Sequence, residues 1–86
     1  MYLLELAFDG NPARLELRPA HRERLARMHA AGELVMAGPY ADDSGALLLF
    51  DVADLAALAR IVDDDPYYRA PGVTIVRQQE WAPIFR

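Results

Sequence analysis

His21 is the residue whose type and setting point most directly to chemistry. It stands two positions after Pro19, and at helical spacing it shares a stripe with Leu25 and Met28. Such a stripe faces the interior, so the imidazole is expected out of water. Burial disfavours the charged ring, and the positive end of a helix dipole disfavours it again. A neutral imidazole is the form that takes a proton in general acid–base chemistry. The plainer alternative is a buried histidine satisfied by one hydrogen bond.

A carboxylate to orient that ring is available in Asp63, Asp64 and Asp65. Asp63 and Asp64 read as the solvated acidic end of a helix. Asp65 differs because Pro66 biases it to an extended backbone, from which it can turn back toward the body. An Asp65–His21 pair would raise the imidazole pKa and fix its tautomer.

The remaining candidates are weaker. His29 lies eight residues beyond His21, at the edge of the stripe, and is expected to be partly exposed. Two histidines so spaced on one helix cannot share a metal ion, and no HxxxH or HExxH pattern occurs, so no metal site is expected. Ser44 precedes Gly45 in a tight connection and is a turn residue first, although its hydroxyl could sit at a strand end. It has no GxSxG elbow around it. The dipeptide Gly38-Pro39 reads as a strand terminator. The glycines are scattered singly, without a phosphate-binding loop, so the chemistry expected is cofactor-free.

The elements that must position these groups follow from pattern. Tyr2 to Phe8 alternates as a strand, with Tyr2, Leu4, Leu6 and Phe8 on one side. Asp9-Gly10-Asn11-Pro12 is turn chemistry. Pro12 to Leu17 suits a short helical turn capped by Asn11, and Arg18-Pro19 is expected to interrupt it. Pro19 then opens the main first helix, which runs to about Ala31 and stops at Gly32. Leu34 to Ala37 and Ala46 to Phe50 read as an antiparallel hairpin. Asp51 to Asp54 caps a second helix, whose inner face carries Leu55, Leu58, Ala59 and Val62. Val73 to Trp81 is the last strand. The order is β-α-β-β-α-β, an α+β ferredoxin-like fold with a four-stranded antiparallel sheet and two helices on one face. The whole chain, residues 1–86, reads as a single domain.

Ala46 to Phe50 is apolar at every position, and Leu34 to Ala37 is similar. Two helices on one side leave the other sheet face bare, and a wet face would alternate with polar residues. A second copy of the chain is the simplest cover, so a homodimer through the sheet face is expected.

Composition excludes several classes. The chain has 86 residues, no cysteine, 53% hydrophobic residues and a formal net charge of −4. Without cysteine there are no disulfides or thiolate metal sites. All nine basic residues are arginine. The acidic balance argues against nucleic acid, which wants a basic stripe; Arg18, Arg22, Arg24 and Arg27 read as a solvated helix side interrupted by Glu23. No stretch is long enough to span a bilayer. Met1 to Phe8 lacks a basic leader region and reads as a strand, so a cytoplasmic location is the default expectation.

Several short pieces, in order, resemble the YciI-like (YCII-related) family. They are the first strand ending in Asp9, Arg18-Pro19-Ala20-His21, Gly32-Glu33-Leu34, Ala37-Gly38-Pro39, Ser44, Asp65-Pro66-Tyr67 and Gly72-Val73. The resemblance covers nearly the whole chain. It implies a dimeric α+β barrel akin to muconolactone isomerase, with a pocket between sheet and helices. It implies a His-Asp pair, carried here onto His21 and Asp65. Asp9, Gly38, Pro39 and Ser44 match further family positions and are candidates for contact with substrate. A few relatives look like lyases that remove HCl from chlorinated aromatic diols. One departure is the connection from Pro39 to Ser44, which is shorter than in many relatives.

Three functions are then in view. The first is a cofactor-free lyase or isomerase acting on a small cyclic or aromatic substrate, with His21 as acid–base and Asp65 orienting it. The second is a dimeric small-molecule-binding module that uses the same pocket without turnover. The third is an interaction protein that docks through its sheet. Recognition of RNA by the sheet is disfavoured, because such sheets expose aromatic and basic residues and these central strands are aliphatic.

Overall fold

Strict alternation in the first strand sets the sheet. The computed structural model describes all residues from Met1 to Arg86. Strand β1 spans Tyr2–Phe8, with Tyr2, Leu4 and Leu6 buried and the intervening residues half-buried. Its inner residues lie opposite those of β3, Gly45–Phe50, in an antiparallel ladder that pairs Leu4 with Leu48 and Tyr2 with Phe50. On its other side β1 pairs antiparallel with β4, Val73–Glu80. Strand β2, Leu34–Pro39, pairs with the free edge of β3, giving the order β2-β3-β1-β4. With helix α1, Arg14–Ala30, between β1 and β2, and helix α2, Leu55–Asp64, before β4, the chain has the β-α-β-β-α-β ferredoxin-like order.

The core lies between the inner sheet face and the helices. Leu4, Phe50 and Leu58 are wholly buried, and Leu17, Leu25 and Met28 of α1 pack against this cluster. Each of the wholly buried side chains contributes about 1.5–3 kcal/mol of transfer free energy. The outer face is uneven. Leu3, Leu47, Leu49 and Met36 sit on its β2–β3 side, with Met36 well exposed. Glu5, Arg77 and Gln79 occupy its β4 side.

The structure corrects the first helix. No break occurs at Arg18-Pro19; α1 runs unbroken from Arg14 to Ala30 with Pro19 inside it. Proline there removes one backbone hydrogen bond. The ring is on the exposed side, and the continuous helix places Arg14, Arg18 and His21 along one cavity, so tertiary contact overrides the local preference. Asn11 does cap, one turn ahead, by accepting the Ala13 N–H at 2.9 Å. At the other end Glu33 N–H donates to Met28 O and Gly32 N–H to His29 O, with Gly32 at φ +83°. This is the Schellman closure that glycine permits.

Two smaller corrections concern strands. Gly38 and Pro39 do not terminate β2 but form its last two residues, paired with Leu47 and Ala46. Pro39 is tolerated because β2 is an edge strand. The last strand stops at Glu80, one residue before Trp81. A short 3₁₀ helix, Pro66–Arg69, stands where a loop is expected.

Candidate functional site

Asp65 is the junction between α2 and the 3₁₀ helix. Its backbone is extended, at φ −114° and ψ 108°, as the following proline demands. That conformation turns the side chain back under the body, where it is buried. Its Oδ1 caps the 3₁₀ helix by accepting the Tyr67 N–H at 3.0 Å. Its Oδ2 lies 2.6 Å from His21 Nδ1. Arg24 adds a guanidinium 3.4 Å from Oδ1. The carboxylate is therefore held from three sides, and its rotamer is fixed before any ligand arrives.

The acidic end of α2 is stabilised by arginines. Arg24 donates to the Asp64 carbonyl at 2.7 Å, and Arg69 donates to those of Val62 and Asp63 at 3.3 and 2.9 Å. The Val62 carbonyl also accepts the Asp65 N–H at 3.4 Å; the last carbonyls of a helix otherwise lack intrahelical donors, and cations at a helix C-terminus offset its negative dipole. Asp63 and Asp64 are solvent-exposed.

His21 is equally constrained. Its ring stacks on Tyr67, with centroids 4.0 Å apart and planes 7° from parallel. Tyr68 meets it edge-on at 5.3 Å. With Nδ1 committed to Asp65, Nε2 is the free ring nitrogen: no protein group hydrogen-bonds it and it is not sealed from solvent. Burial holds the imidazole below its ordinary value of 6.5. The hydrogen bond and charge of Asp65 pull upward, Arg22 and Arg24 push down, and burial prevails. The ring is thus neutral at physiological pH, with Asp65 favouring the tautomer that carries its proton on Nδ1 and leaves Nε2 basic.

His21 lines a cavity of about 220 Å³ between α1 and the sheet. Leu6, Phe8 and Leu48 form its apolar floor, and Gly38 and Pro39 form one rim. Arg14, Arg18 and Arg22 form the α1 wall. Arg14 is buried, its guanidinium 3.9 Å above the Phe8 ring. It donates to the Tyr67 hydroxyl at 3.1 Å and to Asp43 at 3.0 Å.

Of the residues singled out by sequence, His21, Asp65, Gly38 and Pro39 gather at this cavity or directly behind it. Ser44 and Asp9 are exposed and outside its lining. The Ser44 hydroxyl and N–H hold the Asp42 carboxyl below its usual range, and the Ser44 carbonyl accepts the Phe8 N–H at 2.9 Å. Asp9 accepts the Asn11 N–H at 2.9 Å and its N–H donates to Gly72 O. A Cβ at Gly72, where φ is +86°, would collide with the Asp9 carboxylate. His29 is exposed.

Sequence reasoning missed Arg14, Tyr67 and Tyr68. Arg14 falls in the segment read as a separate helical turn, and no local pattern marks it as buried. The aromatic pair after Asp65-Pro66 was a usable signal, since adjacent tyrosines beside a proline favour packing over solvent. Arg18, Arg22 and Arg24 do not form a purely solvated face: two line the cavity and the third binds the end of α2.

No curated protein matches the chain. The YCII-related domain matches residues 1–82 of the 86, which spans all four strands and both helices. With that coverage and this fold, the chain belongs to the YCII-related domain family.

Proposed function

We propose that this protein is a cofactor-free acid–base enzyme of the lyase or isomerase type, acting on a small cyclic or aromatic substrate. The observation that carries this reading is the 2.6 Å contact between His21 Nδ1 and Asp65 Oδ2, with Nε2 left free at a small cavity. In the proposed reaction Nε2 takes a proton from a substrate carbon. The imidazolium so formed is stabilised by Asp65 through Nδ1–H. The proton then leaves with a departing group, as in elimination, or returns at a second carbon, as in isomerisation. A positioned base of this kind contributes about 10²–10⁴-fold. Gly38 and Pro39, which present backbone at the rim, bound the substrate on the β2 side; Ser44 and Asp9 act on the loops that frame it.

The same reading takes two copies of the chain, sheet face to sheet face. Exposed Met36 on the outer face, beside Leu47 and Leu49, supports it, as do the exposed Trp81, Ile84 and Phe85. A location in the cytoplasm is part of the proposal; no helix is long and apolar enough to cross a membrane.

The test is an NMR titration of the His21 imidazole in the wild type and in Asp65→Asn. The wild-type pKa is expected below 6.5 and lower still in Asp65→Asn, because the upward pull of the carboxylate is gone. Proton abstraction from a panel of cyclic and aromatic substrates should vanish in His21→Gln. An unchanged His21 pKa in Asp65→Asn would break the dyad. Binding retained with no turnover would make the protein a ligand-binding module.

A further inference from the structure

The α1 wall of the cavity has a charge pattern that the acid–base reading does not use. Arg14, Arg18 and Arg22 recur every four residues, so they stack along one side of the helix and reach the same cavity. Like charges at this spacing repel each other. Arg14 is answered by Asp43 at 3.0 Å. Arg18 and Arg22 form no ion pair and no side-chain hydrogen bond with the protein. Asp43 is the only acidic residue in the lining, and Asp65 behind it is already engaged by His21 and Arg24. The cavity is therefore cationic within a chain whose formal net charge is −4.

Its other surfaces are apolar. Leu6, Phe8 and Leu48 of the sheet face the arginines across a volume of about 220 Å³, and Leu25 of α1 lines the cavity beside them. A cavity of about 150 Å³ already holds a benzene ring, whereas pockets for drug-sized molecules begin near 300 Å³. The space suits one ring with one small substituent. Guanidinium groups bind carboxylates through paired N–H donors.

The geometry points to a monocyclic carboxylate as the ligand: its ring on the Leu6–Phe8–Leu48 floor beside His21, its carboxylate on Arg18 and Arg22. The inference rests on the cavity being the substrate site and narrows that substrate from any small ring to an anionic one. It separates this protein from a catalyst for neutral aromatic diols, which offer the two guanidinium groups no charge. It also assigns Arg18 and Arg22 as binding residues.

The experiment uses benzoate as probe, with catechol as a neutral ring of similar size and inorganic phosphate as an anion without a ring. Binding is followed by NMR on the full chain, reading the His21 and Tyr67 ring resonances. Benzoate is expected to saturate and to shift both rings, and to bind at least tenfold more tightly than catechol. In the double variant Arg18→Gln, Arg22→Gln its affinity should fall tenfold or more, with the catechol affinity unchanged. Both arginines reach solvent, and an unchanged thermal midpoint in the variant confirms that the fold is intact. Equal binding of benzoate and catechol, or full benzoate affinity in the double variant, overturns the inference. So does phosphate displacing benzoate at equal affinity, which would leave a bare oxyanion site. The same titration in His21→Gln separates the two proposals: benzoate binding that survives there stands even if the dyad fails, and its loss in the arginine variant says nothing against the dyad.

Discussion

The imidazole of His21 and the phenol ring of Tyr67 lie face to face, 4.0 Å between centroids and 7° between planes. The stack removes one side of the imidazole from water while Asp65 holds Nδ1. Both effects act on one titration, in opposite directions, and burial is the larger. Tyr67 is thereby linked to the protonation state of a residue it does not hydrogen-bond.

Stability depends on pH through this imidazole. The folded pKa of His21 is below the unfolded value of 6.5. Between the two values the unfolded chain binds the proton and the folded chain does not, so stability rises with pH there. The contribution is complete above pH 6.5 and is lost as pH falls from 6.5 through the folded pKa. Urea unfolding across this window should show a falling midpoint in the wild type and a flatter profile in His21→Gln. In Tyr67→Ala the ring is opened to water, so the His21 pKa should climb toward 6.5 and the slope should shrink. A wild-type profile that does not fall below pH 6.5 would show that burial does not prevail over Asp65.

Much of this arrangement was legible beforehand, and the exceptions have a common cause. Alternation from Tyr2 to Phe8 and the stripe of His21, Leu25 and Met28 are periodic features, and periodicity reports which face is inward. The sequence offers His21 and Asp65 as a candidate pair, but their contact spans 44 positions, so whether they touch depends on how α1 and the end of α2 pack, which no local pattern contains. The break expected at Pro19 failed for the same reason. Local preference favoured two helices, while the buried guanidinium of Arg14 favoured one. The cationic wall has no local signature, because arginine is exposed by default and its three members are related only through the cavity they share.

Tyr68 shows a cost that substitution should relieve. Its hydroxyl is buried with no hydrogen-bond partner, and burial pushes its pKa above the usual phenol range. Leaving a buried polar group unpaired costs about 1–3 kcal/mol. The ring itself packs edge-on against both His21 and Tyr67. Tyr68→Phe keeps the ring and removes the orphan, so it should stabilise the protein by about 1 kcal/mol, read as a higher urea midpoint at unchanged slope. A destabilised Tyr68→Phe would mean that the hydroxyl has a partner in solution, such as a bound water.

The ion pair of Arg14 and Asp43 combines a buried and an exposed partner. The Asp43 side chain is 64% exposed against 9% for Arg14, so the pair itself contributes only about 0–1 kcal/mol. Asp43 also holds a left-handed backbone, φ +59°, which costs a non-glycine residue about 1 kcal/mol or more. Asp43→Gly removes both terms, and the two should nearly cancel. Arg14 is different, since its hydrogen bond to Tyr67 and its position over Phe8 are buried. Lysine keeps the charge but has neither the planar fork nor the stacking surface. Arg14→Lys should therefore cost about 1–3 kcal/mol, the range for a hydrogen bond from a charged group together with a cation–π contact. Chemical denaturation of the two variants side by side decides the matter. If Asp43→Gly proves as damaging as Arg14→Lys, the ion pair to the loop, rather than the contacts to Tyr67 and Phe8, holds Arg14 in the cavity wall.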